Sequence, residues 1–191
     1  MKFSGILTTL LATLVIASPV ANPEPAAELV VRQTVEQTAE YSAAIAAKPG
    51  LVANKYYWFT MQWPLNSIPV DEKTTEELKE LRKKLGFDHI GVVFGQITET
   101  KTGKGKNEKT KKHYSATLVH MVKTNPATGT VTQKSSVYKY DGKALKYGGE
   151  TTAKKIDAAK KAAKAWVDEH PTYAVEGNNC NDFAKAVFGK L

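Results

Sequence analysis

The sequence contains very little cysteine and arginine. Its 191 residues include one cysteine, Cys180, and two arginines, Arg32 and Arg82. A single cysteine excludes an intramolecular disulfide, so Cys180 is a link between chains, a buried filler or a reactive thiol. Nucleic-acid-binding proteins usually add arginine and exposed aromatic residues to their lysines, so the lack of arginine argues against nucleic acid as a partner.

The sequence also lacks an apolar segment long enough to span a membrane. Its main apolar run, residues 6–16, follows Lys2 and is closed by the small residues Val15 and Ala17. A bilayer needs about 20 apolar residues, and this shorter pattern is typical of a secretory signal peptide. We therefore predict a signal peptide at residues 1–17 and a flexible leader at residues 18–32. The product is expected to be a secreted, extracellular monomer with a single domain at residues 33–191.

Positive charge is present in excess and is unevenly distributed. The net charge is +8, and residues 100–112 hold six lysines against one glutamate. This stretch predicts a loop that attracts anionic surfaces such as acidic polysaccharide or phospholipid head groups, although a solvated loop without a partner explains the same pattern. Lys101, Lys104 and Lys106 of this loop are predicted substrate-binding residues.

Capping residues and hydrophobic periodicity predict four helices and four strands. The first two helices are expected to begin at the capping residues Thr34 and Thr74. The complete set comprises helices at residues 34–48, 74–85, 152–169 and 181–188, and strands at residues 55–63, 89–98, 114–123 and 130–140. Strands grouped together with helices at their flanks indicate an α+β fold with a small antiparallel sheet.

Cys180 lies where a helix begins. Asn178 or Asn179 can cap this helix, and Cys180 then occupies its first turn. Unpaired N–H groups and the positive end of the helix dipole favour a thiolate there, so we expect a lowered Cys180 pKa. Because Cys180 shares a face with Phe183 and Ala184, an inert core cysteine is the alternative.

Two of the four histidines are expected to lie close together. If the strands at 89–98 and 113–122 pair across the lysine-rich loop with residue 98 opposite residue 113, residue 91 lies opposite His120. His89 and His120 are then diagonal neighbours on one face, within about 7 Å. The same register leaves His113 about 30 Å from His89, at the far end of the strands.

The stretches Asn178-Asn-Cys-Asn-Asp-Phe183 and His89-Ile-Gly-Val-Val-Phe-Gly95 resemble the circularly permuted papain-like superfamily. This superfamily includes the lecithin:retinol acyltransferase-like proteins, the PPPDE putative peptidases and relatives of the NlpC-type cell-wall amidases. The resemblance implies a papain-like fold with the nucleophile on the C-terminal helix. It also implies Cys180 as nucleophile, His89 as general base and His120 as the residue that orients the base.

The predicted function is therefore cysteine-dependent hydrolysis of an amide, peptide or acyl bond in a peptide, cell-wall or acyl substrate. Asn178 and Asn179 are added to the predicted substrate-binding residues, and no cofactor is expected. One cysteine and two histidines could ligate zinc, but no Cys-x-x-Cys or His-Glu-x-x-His spacing supports a metal site. The alternative function is a cationic secreted effector or toxin-like protein that binds without catalysis.

Overall fold

Six strands and four helices make up the part of the chain that the structure describes. The structure is a computed structural model and describes residues 34–69, 75–104, 107–125 and 127–191. The predicted signal peptide, the leader and Lys106 lie outside these residues. The strands are β1 (Thr34–Gln37), β2 (Tyr56–Pro64), β3 (Phe87–Thr102), β4 (Lys109–Asn125), β5 (Thr130–Val137) and β6 (Leu145–Thr151), and the helices are α1 (Ala39–Ala47), α2 (Glu76–Leu85), α3 (Ala153–Glu169) and α4 (Cys180–Phe188).

The strands form one curled sheet in the order β1-β4-β3-β2-β6, and β5 pairs with a second part of β4. All pairs are antiparallel except β1 with β4, which is parallel. The predicted α+β class is confirmed. The prediction of a purely antiparallel sheet is wrong, because β1 enters along β4 in the same direction.

Each face of the sheet carries its own apolar cluster. One cluster joins α3 and α4 to β3 and β4, and it includes Val92 of β3, Val119 of β4 and Phe183 of α4. The other contains Tyr41 and Ala44 of α1 together with Phe59 of β2. Both faces of the central strands are therefore buried, which explains why β3 reads as a nearly continuous apolar run.

The long hairpin of β3 and β4 has the register expected from the sequence. Thr98 pairs with His113, and the ladder ends at the pair formed by Val92 and Val119. Gly95 lets the two backbones approach closely, because a Cβ at this position would overlap the backbone of Ser115 and Ala116. The register fixes which residues of β3 and β4 meet at the end of the sheet.

Several element boundaries differ from those predicted. The helix expected from Thr34 is preceded by β1, and its cap is Thr38, whose side chain accepts a hydrogen bond from the Tyr41 N–H. The cap of α2 is Thr75 instead of Thr74. Strand β6 was not predicted, because its two glycines resemble a break in the chain.

The lysine-rich loop is shorter than predicted. Residues 101–102 continue β3 and residues 109–112 begin β4. The alternation of lysine with threonine in these residues suits a strand edge as well as a loop, since threonine is β-branched. Most of the lysines are therefore fixed on the sheet.

Candidate functional site

A cavity of about 400 Å³ opens at the end of the sheet where β3 and β4 separate, and α2 and α4 contribute to its wall. Cys180, His89 and His120 all line it. Three residues singled out from the sequence therefore face one space, although they come from two strands and a helix.

The two histidines contact each other directly. His89 Nε2 lies 2.9 Å from His120 Nδ1, within hydrogen-bonding distance. The indole of Trp63 on β2 stacks on the His120 ring at 5.4 Å and meets the His89 ring edge-on at 4.8 Å. The predicted proximity of the histidines is confirmed, and Trp63 fixes the orientation of both rings.

Burial keeps both imidazoles neutral. Desolvation, as the largest cause, together with the nearby His120 and Arg82, lowers the pKa of His89 to about 3. The pKa of His120 is lowered to about 4 by the same desolvation and by Lys134. At neutral pH the pair therefore contains two uncharged rings, one of which donates its N–H to the other.

Cys180 is the first residue of α4, as expected. The Asn179 side chain accepts hydrogen bonds from the N–H groups of Asn181 and Asp182, at 2.9 and 3.1 Å. Asp182 closes a capping box by accepting a bond from the Asn179 N–H. The thiol is buried and is held in a fixed position by this cap.

The expected lowering of the Cys180 pKa is wrong. Burial raises the pKa of the thiol to about 11. The backbone N–H groups of Ile90, Cys180 and Asn181 and the positive charge of Arg82 act in the opposite direction, but they do not outweigh desolvation. The helix N-terminus therefore stabilises a thiolate, but the thiol is still protonated at neutral pH.

The thiol and the imidazoles reach the cavity from opposite faces of the sheet. Cys180 belongs to the cluster under α3 and α4, whereas Trp63, which contacts both histidines, packs against the cluster under α1. Within the described residues, no hydrogen bond joins the Cys180 thiol to His89 or His120. The thiol instead lies near the N–H of Ile90, the residue after His89.

The two asparagines are engaged in internal hydrogen bonds. Asn178 Nδ2 donates to the carbonyls of His170 and Thr172, and its Oδ1 accepts from the Trp166 indole. Asn179 Nδ2 donates to the Val175 carbonyl while its Oδ1 caps α4. Both side chains hold the segment before α4 in place.

The predicted lysines lie away from the cavity. Lys101 is on β3 and forms an ion pair of 3.2 Å with Glu108. Lys104 is exposed in the connection between β3 and β4. The structure thus brings the cysteine and the histidines together and leaves these two lysines at the other end of the hairpin.

Two charged residues of the cavity were missed by the sequence reasoning. Arg82 on α2 and Asp88 on β3 both line it, and 4.0 Å separates Arg82 Nε from Asp88 Oδ1. Asp88 also accepts a 2.8 Å hydrogen bond from the N–H of Ile68. The position of Asp88 directly before His89 was the one available signal for it.

Comparisons with known proteins give no family for the chain: no protein-family model, curated protein or solved structure matches it. The described residues contain no group of three or more His, Cys, Asp or Glu side chains arranged to hold a metal ion. Over the same residues, no helix has both the length and the apolar character needed to cross a bilayer.

Proposed function

We propose that the protein is a secreted cysteine-dependent hydrolase of amide, peptide or acyl bonds. Cys180 is the nucleophile, His89 the general base and His120 the residue that orients His89. The observation that carries this proposal is that a cysteine at a helix N-terminus and a hydrogen-bonded histidine pair line the same cavity. The order of a histidine strand before a cysteine helix is also that of the permuted papain-like proteins.

The mechanism uses one of the two protonation patterns that the histidine pair allows. If His89 Nε2 carries its proton and donates it to His120 Nδ1, the remaining ring nitrogen of His89, Nδ1, is unprotonated. A neutral ring nitrogen can accept the proton of a neutral thiol while the sulfur attacks a carbonyl carbon. His120 then fixes the tautomer and the ring plane, as an orienting residue does.

The chemical steps balance with these groups and water. The sulfur adds to the carbonyl carbon and His89 takes the thiol proton. The backbone N–H of Cys180 is available to the oxyanion. His89 then protonates the leaving amine or alcohol, which leaves a thioester on Cys180. Water, deprotonated by His89, then adds to the thioester carbon; the C–S bond breaks, the carboxylic acid leaves, and His89 returns the proton to the sulfur. Hydrogen bonds of catalytic groups are often longer in the free enzyme and shorten once substrate is bound.

The test is a series of alanine variants assayed on a substrate identified with a panel of amide and ester reporters. Cys180→Ala and His89→Ala should each remove most of the rate, and the double variant should be little worse than Cys180→Ala alone. His120→Ala should cost less, because the base is still present but poorly oriented. His113→Ala and His170→Ala are matched controls and should keep wild-type turnover. Unchanged turnover in Cys180→Ala would refute the proposal.

A non-catalytic binding protein is the second candidate. It is favoured by the raised pKa of Cys180 and by the absence of a hydrogen bond between its thiol and either histidine within the described residues. A cavity whose cysteine and histidines are uncharged can hold a ligand without reacting with it. In that case ligand binding survives Cys180→Ala, and wild-type protein turns over no member of the reporter panel.

A further inference from the structure

The cavity contains a mostly buried cation, Arg82, whose hydrogen-bonding capacity is not fully used. The Arg82 side chain is 14% exposed, and its Nε has no hydrogen-bond partner. Its ion-pair partner Asp88 stands 4.0 Å away, too far for a hydrogen bond. An unsatisfied buried donor destabilises a protein, so a group that accepts a hydrogen bond from the guanidinium gains a favourable contact.

Asp88 compensates this charge only in part. One of its carboxylate oxygens accepts the Ile68 N–H at 2.8 Å, which ties the aspartate to the loop after β2. The positive charge of Arg82 is still felt across the cavity, where it lowers the pKa of Cys180 and of His89. The charge of Arg82 therefore acts at the position of the thiol.

The mouth of the cavity adds a second cation. Lys123 is exposed and lines the cavity, with its Nζ 4.2 Å from the centre of the Tyr173 ring. Because His89 and His120 are neutral, the charged residues of the described lining are Arg82, Asp88 and Lys123. Most of the remaining wall is apolar, with Trp63, Ile68, Leu78 and Met121 among its members.

We propose that this cavity binds a small apolar molecule that bears a carboxylate, and that Arg82 is the partner of the carboxylate. A guanidinium presents a planar set of donors that matches a carboxylate, and such bonds are stronger than those between neutral groups. The volume of about 400 Å³ is near the lower end of ligand pockets, which suits one ring or a short alkyl chain. The extension to substrates rests on the proposed function: the hydrolysed amide or ester carries an apolar carboxylate in one of its two parts.

The experiment compares two probes of the same shape that differ in charge. The full chain carrying Cys180→Ala is titrated calorimetrically with 4-phenylbutyrate and with the neutral 4-phenylbutanamide at low salt. We expect the acid to bind at least tenfold more tightly than the amide. Equal binding of the two probes, or binding of neither, overturns the inference. Since this variant needs no turnover to bind, failure of the hydrolase proposal leaves the result unaffected.

A pair of variants then tests the role of Arg82. Arg82→Gln combined with Asp88→Asn removes both buried charges together, so neither is left without its partner. The combined variant should lose the preference for the acid. Lys84→Gln removes a cation from an exposed position on the same helix and should keep the preference. Retention of the preference in the combined variant overturns the assignment to Arg82. If that variant does not fold, the comparison of acid with amide still tests the binding proposal.

Discussion

His89 and His120 pair as neutral rings, and this pairing destabilises the fold in acid. In the unfolded chain each imidazole titrates near its ordinary pKa of 6.5, whereas burial lowers the folded values to about 3 and about 4. Between the folded and unfolded pKa values the unfolded state binds more protons than the folded state. The contribution of the two histidines to stability is therefore present above pH 6.5 and is lost as the pH falls towards 3. For His89 alone, the loss between pH 7 and 4.5 is about 2–3 kcal/mol.

The measurement is the free energy of unfolding in urea at pH 7 and pH 4.5. Wild-type protein should lose at least the amount expected for His89, and His89→Gln combined with His120→Gln should lose much less. His113 lies outside the cavity, so His113→Gln serves as the control and should lose as much free energy of unfolding as the wild type. An equal loss in the combined variant and the wild type would show that other groups govern acid sensitivity.

The thiol of Cys180 should react as a weakly acidic group. Since burial raises its pKa to about 11, the rate constant for alkylation by iodoacetamide should rise about tenfold per pH unit from pH 7 to 10. In urea the same thiol should titrate near its ordinary pKa of 9.0. A plateau of reactivity near neutral pH in the folded protein would instead indicate a thiolate paired with a charged histidine.

At the scale of single elements, the most predictable features were those specified by local chemistry. The caps of α3 and α4 and the register of β3 with β4 follow from the side chains of Thr152 and Asn179 and from strand alternation. Strand β1 was missed because its four residues pair with β4, which is distant in sequence, and this pairing overrides the local capping pattern. Local sequence preference does not reveal a strand such as β4, which becomes the pairing partner of β1 only when the chain folds.

For the candidate site, the positions of Cys180, His89 and His120 were predictable, but Arg82, Asp88 and the chemistry of the thiol were not. Alternation along two strands was enough to bring His89 beside His120, and the cap was enough to place Cys180 in the first turn of α4. The direction of the Cys180 pKa was not predictable, because desolvation depends on how α4 packs against β3 and not on its own sequence. Arg82 was missed for the same reason, since its helix pattern resembles an ordinary solvated face.

Two tyrosines at the junction of β4 and β5 offer a matched pair of substitutions. Tyr138 follows β5 and is buried with a hydroxyl that has no hydrogen-bond partner, whereas the Tyr114 hydroxyl on β4 donates to the Tyr57 carbonyl at 2.9 Å. Tyr138→Phe should raise the free energy of unfolding by about 1 kcal/mol, and Tyr114→Phe should lower it by about 1 kcal/mol. Urea unfolding measures both. A destabilised Tyr138→Phe would show that an ordered water or another group satisfies its hydroxyl.

For the molecule as a whole, the excess of positive charge should act through the end of the β3–β4 hairpin. Lys104, Lys109 and Lys111 are exposed within eight residues of one another. Charges clustered within about a Debye length, 8–10 Å, act together on an anionic surface. Replacing the three with glutamine should lower the salt concentration that elutes the protein from a heparin column.

The control for this experiment removes the same charge elsewhere. Lys154, Lys160 and Lys161 are exposed on α3, and their replacement by glutamine should shift elution less than the hairpin set. Turnover of a substrate identified with the reporter panel should be unchanged in both variants, because neither set lines the cavity. A larger change in the eluting salt concentration for the α3 set would show that the anion-attracting surface lies on that helix.

Because Cys180 is buried only in the folded protein, folding competes with chemical modification of its thiol. About 90 residues separate the thiol from Ile90, whose N–H it approaches in the native protein, so the thiol stays exposed until these distant segments meet. During that interval it reacts as an ordinary cysteine, and in an oxidising compartment a thiol in that state can be oxidised or joined to another chain. A substitution that slows folding without weakening the native state would then lower the yield of intact protein. The quantity that decides the fate of such a chain is the lifetime of its exposed thiol.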